Sequence, residues 1–198
     1  MNLVALTLGS NIDKERNLPE AVRLLRELCA SAEPVEAPVT EPVTELVEVT
    51  GSVTVCSVLA VAPVYETAPT GLLDQPNFFN TAVLIQTPLS AAEVKETIIA
   101  AIETQLKRVR QAEKNAPRTI DIDIALFNDS IFDYALSDGS TRHVPDKDIL
   151  RFPHVAVPLA DLLPDMPHPE TGELLSAIAA RLLAAAPDAI WQRLDISL

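Results

Sequence analysis

The run Arg118-Thr119-Ile120-Asp121-Ile122-Asp123-Ile124-Ala125-Leu126-Phe127 alternates two carboxylates with isoleucines in a stretch otherwise suited to a strand. Successive strand side chains point to opposite faces, so Asp121 and Asp123 share one face, about 6.6 Å apart along the chain, and Ile120, Ile122 and Ile124 share the other. Aspartates are depleted in strands, and two on one face repel unless a cation sits between them. A divalent metal meets that need. The plainer alternative is a solvent-facing edge strand whose acids are merely exposed. Against it stands the approach to the strand, which sets five cations, Lys107, Arg108, Arg110, Lys114 and Arg118, directly before the acids. Metal-holding carboxylates beside guanidinium groups suit a polyphosphate. Magnesium takes oxygen ligands and keeps substrate phosphate oxygens among them, and arginine forks match phosphate bidentately.

These groups need a scaffold. Leu3 to Leu8 reads as a buried strand that stops at the turn-forming Gly9-Ser10-Asn11. A helix follows, with Pro19 in its first turn and an apolar stripe of Ala21, Leu24, Leu25 and Leu28. Val53 to Tyr65 and Phe78 to Gln86 read as two neighbouring strands around a Pro- and Gly-bearing loop. Ser90 and Glu93 form a capping box, and Val94, Ile98, Ile99, Ile102 and Leu106 make the buried face of a second long helix. That helix delivers the chain into the basic loop and then the acidic strand. The order β-α-β-β-α-β predicts an α+β, ferredoxin-like sandwich, an antiparallel sheet with helices on one face. Pro158 to Leu163 is expected to form a turn, and Glu173 to Ala185 an amphipathic helix at the C-terminal edge.

Residues 33–48, EPVEAPVTEPVTELVE, repeat a Glu-Pro-Val-Thr unit whose prolines block helix and central strand. We read 33–52 as an extended inserted loop without chemistry of its own, inside a single domain over 1–198. At 198 residues and 48% hydrophobic, the chain has the apolar material for one core. A net charge of −13 argues against nonspecific binding to nucleic acid or to an anionic membrane, which marks residues 107–118 as a local basic exception. Cys29 and Cys56, far apart and outside any CxxC spacing, are expected to be reduced core thiols. No apolar run reaches about 18 residues and the N-terminus lacks a basic leader, so a soluble, cytoplasmic protein is expected; a monomer is expected as well, with a weak dimer left open.

With these features together, the chain resembles the 6-hydroxymethyl-7,8-dihydropterin pyrophosphokinases of folate biosynthesis over nearly its whole length. The motifs stand in order: Leu8-Gly9-Ser10-Asn11 ending the first strand, Tyr65-Glu66-Thr67-Ala68-Pro69, Gln75-Pro76-Asn77-Phe78-Phe79-Asn80, the basic loop through Arg108 and Arg110, and Pro117 to Asp123. Pro158, Leu159 and Pro164 match the closing motif. The resemblance implies transfer of pyrophosphate from ATP to the pterin hydroxymethyl, giving AMP and the pterin diphosphate. It implies two magnesium ions on Asp121 and Asp123 and a catalytic set of Arg108, Arg118, Asp121 and Asp123. It further implies ATP contacts from Glu103, Arg108, Arg110, Lys114, Arg118, Ile124, Arg142 and Arg151, and pterin contacts from Thr67, Thr70, Phe78, Asn80 and His154. Such catalysis is mostly positioning and charge neutralisation, so no GxxxxGK[ST] loop is required.

The chain also departs from the family. Asp146 stands where Val-Pro-His is usual, His154 where a pterin-stacking phenylalanine is expected, and Asn115 where the loop carries tryptophan. His154 can stack on a pterin or simply pack, His143 beside Arg142 can touch ATP or be a solvated loop residue, and His168 reads as a surface turn. Tyr65 and Phe79 read as core. Two other functions are open to these residues: a homologue that binds pterin or nucleotide without turnover, and a ferredoxin-like regulatory module with no need of Asp121 or Asp123.

Overall fold

A computed structural model describes residues 1–30, 56–70, 72–109 and 116–198. The apolar start of the chain forms β1 (Asn2–Ser10), and α1 (Lys14–Ala30) follows. Because α1 begins at Lys14, Pro19 falls in its second turn rather than its first. Ala21, Leu24 and Leu25 are buried as the stripe predicts, and Leu28 packs half-buried against the same core. The single strand expected over 53–65 is two, β2 (Ser57–Val61) and β3 (Val64–Thr67), with residues 53–55 outside the described set. Pro63 lies in the break, where its missing N–H costs no ladder bond. Both strands pair with β4 (Phe78–Thr87).

Ser90 caps the next helix through the reciprocal box with Glu93. That helix is not uniform: α2 (Ala91–Glu93) widens into a π turn over Val94–Ile99 before α3 (Ala100–Gln105). The acidic strand is β5 (Asp121–Phe127), at the edge of an antiparallel sheet ordered β5-β1-β4-β3-β8, with β8 at Trp191–Arg193. A hairpin of β6 (Phe132–Ala135) and β7 (Thr141–Val144) stands beside it.

Ile120, Ile122 and Ile124 are buried in one core with α1 and the 91–105 helix, so the isoleucine face of β5 points inward as the alternation requires. A second core lies on the other side of the sheet, under α4 (Pro153–Leu162) and α5 (Leu175–Ala185). The ferredoxin-like arrangement therefore holds, and the C-terminal extension covers the sheet's second face rather than an edge. Pro158 to Leu163 is not a turn, since Pro158 lies inside α4. The bond its ring removes is outweighed by burial of Ala156, Val157 and Leu159. His168 is likewise not a surface residue but fully buried, in a loop closed by the Pro167–Leu174 bridge.

Cys29 and Cys56 are buried as expected, yet they are not free thiols: they form a disulfide with Cα atoms 4.5 Å apart. The end of α1 and the entry to β2 share one core, which brings the two sulfurs together. The bond brackets residues 33–52, which lie outside the described residues. Cross-linking across 27 residues should contribute about 3–4 kcal/mol by restricting the unfolded chain. Urea unfolding with and without reductant measures this. A midpoint that reductant leaves unmoved would contradict it.

Candidate active site

The C-terminal end of β1 is the hub of the site. Ser10 Oγ donates to the Thr119 carbonyl at 2.6 Å, and the Asn11 and Ile12 amides donate to the Arg118 carbonyl. Asn11 Oδ1 accepts from the Arg118 amide at 2.7 Å, while its Nδ2 reaches Gln75 Oε1 and the Pro76 carbonyl. One Asn side chain thus ties the approach to β5 and the loop before β4 to the end of β1. An amide serves here because it donates and accepts at once.

From the next strand, Asn80 sits opposite Gly9 in the β1–β4 register, buried, with its Nδ2 donating to Thr67 Oγ1 at 2.9 Å. A Cβ on Gly9 would lie 3.3 Å from Asn80 Oδ1, so the glycine lets that amide lie flat against β1. The Arg118 guanidinium lies over the Phe78 ring, 5.8 Å from its centroid. His154 opens α4 and stacks on Phe152 with ring centroids 5.3 Å apart, and burial pushes its pKa below the usual histidine range. Its imidazole is therefore neutral at pH 7 and able to lie against a flat ring.

Of these residues, Gly9, Gln75, Phe78, Asn80, Arg118 and His154 line one cavity of about 200 Å³. Thr67, Thr70, Phe78, Asn80 and His154, named from sequence for the pterin, all border it. So do Arg118, Asp121 and Asp123, together with Asp146 and Asp148, giving the cavity four carboxylates. The plain alternative was right that β5 is an edge strand, but its acids are not merely exposed. Asp121 pairs with the Arg118 guanidinium and lies 3.6 Å from Arg108 Nη2. Asp123 Oδ1 accepts from Lys95 Nζ at 3.2 Å.

Arg108 owes its place to the way α3 ends. Lys107 adopts a left-handed conformation (φ 55°), and the Lys107 and Arg108 amides return to the Thr104 and Glu103 carbonyls in a Schellman closure. The chain turns back toward β5, and the buried Arg108 Nε has no hydrogen-bond partner among the described residues. Arg110, Lys114 and Asn115 lie outside the described residues.

The remaining sequence-named residues lie elsewhere. Glu103 and Arg142 border a second recess of about 240 Å³ with Lys95, Ser137 and Asp138. Ile124 is buried in the core, so its side chain faces away from either cavity. Arg151 donates to Asp148 at 3.1 Å and lies over Phe152. His143 is held between Asp133 and Glu170 at the surface, and these acids raise its pKa. Asp146 caps the short helix Lys147–Leu150 by accepting from the Asp148 amide at 2.9 Å, and burial raises its pKa.

Sequence reasoning missed Lys95 and Asp148. Lys95 did carry a signal, because it stands on the apolar stripe of the helix between Val94 and Ile98, where an unpaired cation would be costly. Among the described residues, no cluster of three or more His, Cys, Asp or Glu could hold a metal by itself, and no helix is long and apolar enough to cross a membrane.

A family model described as 7,8-dihydro-6-hydroxymethylpterin-pyrophosphokinase (HPPK) matches residues 32–164. A 2-amino-4-hydroxy-6-hydroxymethyldihydropteridine pyrophosphokinase of Pseudomonas aeruginosa is 34% identical over 122 residues, 62% of this chain and 71% of that protein. Its counterpart in Bacillus subtilis is 38% identical over 128 residues, 64% of this chain and 60% of that protein. Among solved structures, Plasmodium falciparum HPPK-DHPS is similar over 96% of this chain and 48% of its own, with a TM-score of 0.65 at 12% identity, a likeness of fold.

Proposed function

The chain belongs to the 7,8-dihydro-6-hydroxymethylpterin-pyrophosphokinase family, whose ATP-dependent reaction moves pyrophosphate onto the pterin in folate biosynthesis, and on that premise we propose how its residues divide that reaction. The observation that carries the reading is a single cavity bordered on one side by Asn80, Phe78 and His154 and on the other by Asp121, Asp123 and Arg118. A flat heterocycle with a donor and acceptor edge suits the first group, and a polyphosphate suits the second.

In this reading the pterin lies between Phe78 and His154, with its polar edge on the Asn80 amide and near Thr67 and Thr70. Stacking fixes the ring plane, and the amide fixes its rotation in that plane. The hydroxymethyl oxygen is thereby aimed at the aspartate side. There Arg118 and Arg108 compensate phosphate charge, and Arg108 Nε, without a partner among the described residues, is a donor suited to a phosphate oxygen. The new bond joins the hydroxymethyl oxygen to the β-phosphorus, the bond from that phosphorus to the AMP oxygen breaks with its electron pair departing on AMP, and the hydroxyl proton passes to water. Holding donor and acceptor in line is the main contribution of the residues.

Asp121 and Asp123 fit magnesium by the chemistry of their donors. This ion takes one or two carboxylates and completes its shell with phosphate and water oxygens, so a pair without a third protein ligand is suitable. We assign two ions to this pair; when bound, they neutralise charge on the phosphate oxygens. The nucleoside end of ATP extends toward the recess of Glu103 and Arg142, with Arg110 and Lys114 supplied by the basic loop. We take the chain as a single cytoplasmic domain, monomeric or weakly dimeric, with 33–52 inserted. Within it the Cys29–Cys56 bond is the least usual feature for a reducing compartment.

Calorimetry with magnesium, a nonhydrolysable ATP analogue and a pterin analogue tests the division. Asn80→Ala should lose pterin affinity and keep the nucleotide, and Asp121→Ala should lose the magnesium-dependent part of nucleotide binding. Nucleotide binding that is indifferent to Asp121 and Asp123 would overturn the assignment.

Asp146 bears on the same side of the cavity. A carboxylate facing a triphosphate is repelled, by about 1 kcal/mol at 4 Å in water and more where water is excluded. Asp146→His should therefore tighten ATP about tenfold, against loss of the small helix cap it provides. Titration of ATP into both proteins decides the sign, and an unchanged or weaker dissociation constant refutes the repulsion.

A further inference from the structure

Lys95 is a buried cation that the division of roles above does not use. Its residue is 7% exposed, and its Nζ donates to the Ile122 carbonyl and to Asp123 Oδ1, with Glu103 Oε1 3.8 Å away. Glu103 Oε1 in turn accepts from the Ile122 amide at 3.4 Å. The pair therefore clasps the outward backbone groups of Ile122, between the two aspartates, on an edge strand that would otherwise offer them to solvent.

The placement follows from the helix. Lys95 is the second residue of the π turn, a widened turn of a kind often found at functional sites. The capped first turn fixes the start of this helix, and Val94, Ile98 and Ile99 anchor it in the core. The ammonium is thus delivered beneath β5, and a long stem through apolar surroundings is what lysine offers.

We propose that Lys95 is a positioning residue that sets how tightly Asp123 takes a divalent cation. The inference rests on the assignment of Asp123 as a metal ligand. The ammonium holds one carboxylate oxygen, fixing the rotamer of Asp123 and leaving the other oxygen for the cavity. It also supplies a positive charge that a dication at the same carboxylate must approach. Both acids of β5 are then compensated by the protein's own cations, Asp121 by Arg118 and Arg108 and Asp123 by Lys95. The resident charge keeps the pair compatible with folding and holds metal affinity below what two bare carboxylates would give. Magnesium can then arrive and leave with the nucleotide.

Manganese serves as the probe, followed by the electron paramagnetic resonance of the free ion in titrations of the nucleotide-free protein. Lys95→Met, which keeps the length and removes the charge, should bind Mn²⁺ about tenfold more tightly, because the like-charge repulsion is lost. Lys95→Arg, which keeps the charge, should bind near the wild-type value. If Lys95→Met does not fold, Lys95→Met/Glu103→Gln is titrated instead, with tightening again expected since the ammonium is the charge in direct contact with Asp123. A merely structural lysine predicts the reverse, with Mn²⁺ affinity unchanged or weakened in the folded variant, and that result overturns the proposal. Asp123→Asn separates the two layers: wild-type Mn²⁺ affinity there removes the metal assignment itself. Lost affinity in Asp123→Asn with no tightening in Lys95→Met removes only the role given to Lys95.

Discussion

Asp121→Ala and Asp123→Ala are each expected to lower turnover by about 10³-fold or more at saturating magnesium, with the fold retained. Positioned charge is the main instrument of phosphoryl transfer, so a missing metal ligand is felt in the transition state as well as in nucleotide binding. The fold should tolerate both changes for a reason visible in the pairs. The Asp123 side chain is 49% exposed, so water screens its ion pair, and loss of Asp121, 25% exposed, leaves Arg118 on the cavity wall where water can reach it. Lys95 keeps Glu103 within ion-pair distance when Asp123 is removed. Steady-state rates and urea midpoints of the two variants check both halves of the expectation. Near-wild-type rates in either variant would show that the carboxylate is not a metal ligand.

Arg118→Met is the second large effect, also expected near 10³-fold in kcat, the lower range for an arginine that compensates charge in phosphoryl transfer. Three structural facts converge on this side chain. Its backbone is clasped by Asn11, its guanidinium pairs with Asp121, and the same group lies over Phe78. It therefore stands at the boundary between the halves of the cavity proposed for pterin and for phosphate. Arg118→Lys should recover only part of the loss, since an ammonium keeps the charge but not the planar fork that both stacks and binds bidentately. Because Asn11 binds the backbone of residue 118, neither substitution disturbs that anchor. A Lys variant indistinguishable from wild type would mean that charge alone matters at this position, and a Met variant of near-normal rate would remove Arg118 from the machinery.

What the sequence made legible was periodicity and spacing. The alternation in Ile120 to Ile124 fixed which face of β5 points inward, and the Ser90–Glu93 box located a helix start. The residues named for the pterin were picked out through the ordered motifs, and they border one cavity. What remained hidden depends on tertiary context. The Cys29–Cys56 bond joins residues that no spacing rule relates, across a Pro-rich stretch that gives no hint of bringing its ends together. The helix over Pro158 exists because the second face of the sheet has to be covered, a demand no local propensity expresses. Lys95 was passed over because the stripe around it reads as core, and a charge on such a stripe acquires meaning only once Asp123 is seen beside it. Glu103 and Arg142 were named together and do meet, but in a recess separate from the aspartates' cavity, a separation that linear order does not encode.

The most direct test of the account follows the fate of phosphorus. Incubating the purified chain with ATP, magnesium and 6-hydroxymethyl-7,8-dihydropterin, and following the mixture by phosphorus NMR, should yield AMP and the pterin diphosphate in equal amounts, with both disappearing in Asp121→Ala. ADP or inorganic phosphate as the main product would contradict transfer of the intact pyrophosphoryl group.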